Sequence, residues 1–320
     1  MIFLIETHYA YAVSYMKTFE NKMLTSNEIE TLINVQETGQ ALKLLADKGY
    51  GNTDYKDVET ILKTELEKVW REVKNACPEN APLEILLYKN DFHNLKTILK
   101  AYVSGAEYKG LLLNPCVTEP EEIEKAVKEA YFDNLPDFIK GYAETSYSIV
   151  TSTLDGQSME TYLDRACLEA MRKRAEKEDE FLRDWVELNI TIANMKTAAR
   201  AVGRTADFIR EAMVENKDSE RLVFASLKSK NEVVETISSM GYPKGAELLS
   251  QSFSDFEKWC DNLKMDYIKK AKTKSFGFEP ILAFLVGKES ELQTLRIILS
   301  AKENGIEPEI IRERLRDLYV

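Results

Sequence analysis

The sequence predicts an all-α protein assembled from three copies of one helical unit, and three observations carry that prediction. Turn-forming residues are scarce, with 13 Gly and 8 Pro in 320 positions, against roughly 7% and 5% in ordinary proteins. Runs of Val, Ile and Thr with a period of two, which would mark strands, are hard to find. A helical stripe recurs three times at intervals of about a hundred residues, the kind of self-similarity that defines repeat architectures.

The stripe is clearest in Asp91-Phe92-His93-Asn94-Leu95-Lys96-Thr97-Ile98-Leu99-Lys100-Ala101. Its second copy is Thr191-Ile192-Ala193-Asn194-Met195-Lys196-Thr197-Ala198-Ala199-Arg200-Ala201, and its third is Glu291-Leu292-Gln293-Thr294-Leu295-Arg296-Ile297-Ile298-Leu299-Ser300-Ala301. Apolar residues at 92, 95, 98 and 99 and their counterparts form one buried helix face. A basic residue (Lys96, Lys196, Arg296) and a small one (Ala101, Ala201, Ala301) recur in register. Two further markers occur in the same order. Gly49-Tyr50, Gly141-Tyr142 and Gly241-Tyr242 each end an amphipathic stretch, where glycine suits a helix C-terminus. Glu59, Glu160 and Glu257 then open a helix leading towards the stripe, 35, 34 and 37 residues before Asn94, Asn194 and Thr294. The repeats are accordingly placed at 1–107, with an N-terminal helix, at 108–206, and at 207–320, with a docked C-terminal helix.

Helix boundaries agree with this reading. Thr25 with Glu28 and Ser254 with Glu257 have the spacing of capping boxes. Pro120, Pro280 and Pro308 stand where a first helical residue would, since proline loses nothing there. Glu309 to Tyr319 is amphipathic through Ile310, Ile311, Leu315 and Leu318 and is expected to dock as a helix. No Gly/Ser-rich or Pro-rich linker separates the repeats, which predicts that they pack against one another.

Charge and composition exclude several classes. The net charge of −11 and pI near 5.0 disfavour general nucleic-acid binding, which needs a concentrated basic surface. The local cluster Lys269, Lys270, Lys272 and Lys274 reads as a solvated helix end. Met1-Ile2-Phe3-Leu4-Ile5 is apolar but short for a signal segment, and Glu6 follows without a basic region before it. No apolar stretch approaches the roughly 18 residues of a membrane span. Cys77, Cys116, Cys167 and Cys260 stand far apart, and neither His8 nor His93 is spaced to share zinc with them. A reducing, cytoplasmic setting is the expectation.

No reaction chemistry emerges. Phosphate-cradling glycine motifs and a GxSxG elbow are absent. No glutamate stands three residues before either histidine, as a di-iron bundle would require. The position of His93 holds Ala193 and Gln293 in the other copies, which suits a helix edge. The run Glu176-Lys177-Glu178-Asp179-Glu180 invites comparison with a magnesium–diphosphate site. It reads better as a charged helix continuing from Arg172 and Arg174 through i,i+4 pairs with Glu176 and Glu178. Trp70, Trp185 and Trp259 read as core. The expectation is a non-enzymatic body that binds proteins and holds no cofactor, metal or small molecule.

With those residues in view, the chain resembles the C subunit of the V/A-type ATP synthases, the counterpart of the d subunit of eukaryotic V-ATPases. The resemblance begins at Tyr9-Ala10-Tyr11-Ala12-Val13 and continues through Asp91, Asn94-Leu95-Lys96 and Asn194. It is strongest at Glu279-Pro280, Lys288-Glu289-Ser290-Glu291-Leu292 and Leu295-Arg296-Ile297-Ile298-Leu299, and it includes the ending Ile311 to Val320. Thr191 and Lys100 depart from the family pattern, which favours an acid and an arginine there. The resemblance implies a funnel of three helical lobes related by pseudo-threefold symmetry. Such a protein sits on the cytoplasmic face of the membrane proteolipid ring and receives the foot of the central shaft, a rotor part coupling ion transport to ATP synthesis or hydrolysis. It implies membrane contact only through the ring. Asp91, Asn94, Asn194 and Glu291 read as helix-packing or capping groups, with the polar lobe ends lining the shaft socket. Two alternatives stay open. An α-solenoid adaptor is one, although its usual repeats are about 33 to 47 residues. An all-α enzyme using the 176–180 carboxylates is the other.

Overall fold

The structure, a computed structural model, describes residues 9–51 and 57–320; Met1 to Ile5, Glu6 and His8 lie outside the described residues. Among these it contains helices and no strand. In chain order the α-helices are α1 (Ala10–Glu20), α2 (Ser26–Asn34), α3 (Thr38–Asp47), α4 (Val58–Ala76), α5 (Tyr88–Ser104), α6 (Pro120–Glu129), α7 (Lys140–Thr153) and α8 (Gly156–Ala175). They continue with α9 (Glu180–Arg200), α10 (Ala206–Ala212), α11 (Ser219–Lys228), α12 (Lys230–Ser239), α13 (Pro243–Gln251), α14 (Phe253–Lys269), α15 (Glu279–Glu303) and α16 (Pro308–Arg314). Short 3-10 turns occur at Leu83–Leu86 and Lys109–Leu111.

The chain divides into two compact units, Met1–Ala81 joined with Asp261–Val320, and Pro82–Cys260. In the first, the stripe Leu292, Leu295, Ile298 and Leu299 of α15 meets Ile29, Leu32 and Ile33 of α2 and Leu45 of α3 in one core. Each such aliphatic side chain contributes about 1.5–3 kcal/mol when fully buried. The opening turns of α15 are buried on every side, from Ile281 through Leu285, so this helix is the axis of its unit. Gly287 permits that closeness: a Cβ there would stand 2.5 Å from Cγ of Tyr319. In the second unit, α5 packs against α6, α7 and α8, while α9 packs against α8, α10 and α11. Helices α11, α12 and α13 follow one another as stacked neighbours.

Local chemistry sets the helix starts. Thr25 and Glu28 form the reciprocal capping box at α2. Asp57, Asp155, Asp179, Thr205 and Ser229 each accept a first-turn N–H at α4, α8, α9, α10 and α12, satisfying donors that no helical carbonyl can reach. Pro120 and Pro308 open α6 and α16, and Pro280 is the second residue of α15.

Four local expectations differ from the structure. Gly141 does not close a helix, because it lies in the first turn of α7. The left-handed residue that ends the preceding helix is Ala130, with φ +49°, and the Tyr131 N–H then reaches the Ala126 carbonyl at 3.0 Å. The acidic run is not a helix continuation: α8 stops at Ala175, and Asp179 turns back to cap α9 through the Leu182 N–H at 2.8 Å. Arg174 does pair with Glu178, but Arg172 reaches Glu187 of α9 at 2.6 Å. At α14 the capping hydroxyl is that of Ser252, bonded to the Asp255 N–H at 3.3 Å, so Ser254 already lies inside the helix. The C-terminal helix ends at Arg314; beyond it Asn262 accepts the Asp317 N–H at 3.0 Å, a side-chain partner in place of a helical one.

Candidate functional site

The residues singled out by the repeat converge on one device, a polar side chain of a long helix holding the backbone of a loop. On α5, Asn94 is fully buried; its Nδ2 donates to the Leu113 carbonyl at 3.0 Å and its Oδ1 accepts the Leu113 N–H at 2.8 Å. On α9, Asn194 does the same to Val214, at 2.7 and 3.1 Å. A carboxamide is the one neutral side chain that offers a donor and an acceptor in the geometry of a peptide group. One turn earlier, the Asp91 carboxylate accepts the Val117 and Thr118 N–H groups at 2.9 and 2.6 Å. Burial pushes the Asp91 carboxyl above its usual range, and those two N–H groups oppose the shift. Glu291 stands at the matching place on α15 and accepts the Leu24 N–H at 2.6 Å. Both acids therefore hold the segment just before a helix, α6 in one case and α2 in the other.

Around Glu291 the first unit buries an ionic cluster. The Glu291 Oε1 accepts the Tyr50 hydroxyl at 2.5 Å and the Lys288 ammonium at 2.7 Å. Lys288 also donates to the Tyr50 oxygen at 2.7 Å and pairs with Glu65 at 3.4 Å, while Glu65 pairs outward with Lys68 at 3.3 Å. Burial, and then the Glu291 charge, push the Tyr50 hydroxyl far above the ordinary phenol range, so it remains a donor. Gly49 makes this possible: with φ +86° it closes α3 and delivers Tyr50, whose N–H returns to the Leu45 carbonyl at 3.0 Å. Tyr50, Glu65 and Lys288 of the cluster line a cavity of about 460 Å³ in the first unit, together with Phe19, Lys48 and Glu72.

The glutamate markers take part in a second pattern. Glu59 of α4 receives Arg296 of α15 through two bonds at 2.8 and 3.0 Å. Glu160 of α8 pairs with Lys100 of α5, and Glu257 of α14 pairs with Arg200 of α9 at 2.5 Å. Lys96 reaches Asp164 at 2.5 Å, whereas Lys196 is half-buried on α9. Tyr142 is half-buried beside Phe92 and Tyr162. Gly241, with φ +98°, closes α12 as Gly49 closes α3, and Tyr242 meets Trp259 edge-on at 5.9 Å. The structure thus brings Tyr50 and Glu291 into one cluster, Asp91 and Asn94 onto one loop, and each marker glutamate beside a cation of a long helix.

Lys288 and Glu65 are the members that sequence reasoning missed. The available signal was a lysine one turn before Glu291 inside the apolar run of α15, which a helical period places on a buried face. His93 lies at a helix edge with Nε2 3.0 Å from the Leu111 carbonyl. Among the described residues no group of three or more His, Cys, Asp or Glu is placed to hold a metal ion. Burial pushes the Cys77 and Cys167 thiols up to about 12, far from the range of reactive thiolates. No helix of the described residues is long and apolar enough to cross a membrane.

Long helices that hold their neighbouring loops through buried amides and carboxylates define a closely packed all-helical scaffold. The chain belongs to the ATP synthase (C/AC39) subunit family, whose sequence model matches residues 12–314. It is 24% identical to the C subunit of the V-type sodium ATPase of Enterococcus hirae, over 94% of this chain and 95% of that one. It is 26% identical to the C subunit of the A-type ATP synthase of Methanocaldococcus jannaschii, over 97% and 86%. With the corresponding C subunit of the A-type ATP synthase of Thermococcus kodakarensis it shares 22% identity over 96% and 90%. Family and relatives together support a subunit of a rotary ATPase.

Proposed function

We propose that this chain is the adaptor of a rotary V/A-type ATPase that joins the central shaft to the membrane proteolipid ring on its cytoplasmic face. It performs no chemistry itself, and ATP binds elsewhere in the assembly. The observation that carries the reading is the match along nearly the whole chain to the C subunits of such ATPases, at residues 12–314 for the family and 94–97% of the chain for the three relatives. A repeating contact supports it: Lys100 pairs with Glu160 and Arg200 with Glu257 in the second unit, and Arg296 with Glu59 in the first, so each marker glutamate meets a cation of a long helix. The reading includes a funnel of three lobes, with repeats at 1–107, 108–206 and 207–320 and polar lobe ends around a socket for the shaft. In it the marker residues from Gly49 to Arg296 are structural. Transmission of torque favours such a body, because close-packed interiors resist deformation.

The test is native mass spectrometry of the tagged chain purified from its own membranes in mild detergent. Recovery of one copy with a proteolipid ring and a coiled-coil shaft protein is the expected result. Recovery alone, or with soluble partners only, from membranes that contain the intact ATPase overturns the proposal.

A further inference from the structure

We propose that the loop after α14 is a docking surface for anionic lipid headgroups, with the ring of Phe276 entering the interfacial layer. Between Tyr267 and Phe278 the chain holds Lys269, Lys270, Lys272 and Lys274 and no acidic residue, in a protein whose net charge is −11; Glu279, just beyond, pairs with Lys274 at 2.6 Å. The loop is held from behind. Ile268, Ala271 and Phe278 are buried, the Lys17 ammonium donates to the Lys272 carbonyl at 2.8 Å, and Lys272 lies over the Tyr319 ring, 5.4 Å from its centre. Gly277, with φ +87°, turns the chain between Phe276 and Phe278. Their fates differ: Phe278 is 4% exposed and Phe276 is 51% exposed. The outward ring therefore contributes nothing to the core that its inward neighbour does not already supply.

The chemistry at this surface selects its partner. Lys269 and Lys270 reach no carboxylate among the described residues, and Lys270 lies over the Tyr267 ring at 4.9 Å. Two ammonium groups that meet no carboxylate among the described residues, beside an exposed aromatic ring, match an anionic lipid surface, where lysine heads meet phosphates and an aromatic ring enters at headgroup depth. The overall negative charge opposes any other orientation on such a surface, so binding through this loop also orients the molecule. This direct lipid contact goes beyond the contact through the ring alone that the resemblance implies, and it is tested independently of the adaptor reading.

The experiment is flotation of the full chain with vesicles of phosphatidylcholine alone and with about one-third phosphatidylglycerol, at low and high salt. Binding to the anionic vesicles only, weakened by salt, is expected. Each lysine near an anionic surface is worth roughly fivefold in partitioning, so K269Q/K270Q is expected to lose about thirtyfold. F276S removes a further part that salt does not affect. Lys270 and Phe276 are exposed and Lys269 is half-buried at the end of α14, and an unchanged circular dichroism spectrum confirms that both variants fold. Equal partitioning to the two vesicle types, or anionic binding that both variants retain in full, overturns the proposal. Retention by a polyanionic RNA more strongly than by the vesicles, lost with the same lysines, also overturns it in favour of a nucleic-acid surface. Recovery of the chain within its ATPase stays a separate readout, so failure here leaves the adaptor reading standing.

Discussion

Replacing Glu291 by Met removes the anion that three groups share. Leu24 loses the acceptor of its N–H, Tyr50 loses the acceptor of its hydroxyl proton, and Lys288 keeps the Tyr50 oxygen at 2.7 Å but only Glu65, at 3.4 Å, as a counter-charge. Breaking a buried pair by deleting one partner costs about 3–5 kcal/mol, because the remaining charge stays desolvated. For a unit of about 140 residues, each kcal/mol moves the midpoint by about 2–4 °C, so Tm falls by about 6–20 °C. Lys288→Met incurs a similar loss by leaving Glu65 and Glu291 facing one another. The double variant is the decisive one. It removes both charges and fills their space with apolar chain, Glu65 keeps Lys68 at 3.3 Å, and only the Leu24 N–H and the Tyr50 hydroxyl are left unpaired. Its loss is therefore expected to stay at or below that of the worse single variant, far short of the sum. Urea unfolding followed by far-ultraviolet circular dichroism measures all three. Additive losses, within about 0.5 kcal/mol, would refute the claim that these side chains act as one cluster.

The paired asparagines make a parallel prediction. Asn94→Ala and Asn194→Ala each strand one backbone N–H and one carbonyl, at Leu113 and Val214, and each is expected to cost about 2–4 kcal/mol. Hydrogen exchange at the Leu113 and Val214 amides should accelerate, and unchanged protection contradicts the assignment. Gly287→Ala forces a methyl to 2.5 Å from the Tyr319 ring and is expected to cost about 1–3 kcal/mol by overpacking. Adding Tyr319→Ala should recover part of that loss in the thermal midpoint; no recovery excludes the ring as the obstacle. The last concerns pH. Asp91 holds its proton more tightly folded than unfolded, so its contribution to stability falls as pH rises through the unfolded and then the folded value. Stability of the wild-type chain relative to Asp91→Asn, read from urea midpoints, should therefore decline from about pH 4 upward. A relative stability that rises with pH has the opposite sign and refutes it.

Much of the helical framework is legible locally. The stripe of Leu292, Leu295, Ile298 and Leu299 identifies a buried helix face, and the Thr25–Glu28 box is found as its spacing foretells. Expectation and structure part where two local signals compete. Gly141 offers a plausible helix end, yet Ala130 takes the left-handed position, and the sequence contains no glycine there to announce it. The run at 176–180 carries helix-favouring charges, yet Asp179 is worth more as a cap, because the orphan N–H groups of α9 have no other partner. Lys288 stands within a recognisable motif on a buried helix face, and nothing in its neighbours along the chain names Tyr50 and Glu65 as its partners.

By itself the sequence determined that the chain is helical, where several helices begin, and which faces are apolar. Those properties arise between residues a turn or two apart, so side chains encode them directly. Only the tertiary structure decided what the recurring polar residues hold. Glu291 binds an N–H that lies 267 positions away in the chain, and Lys288 reaches Tyr50 across 238. Partners of that kind are chosen by burial, which makes an unpaired charge intolerable and leaves the path of the chain to supply its counterpart.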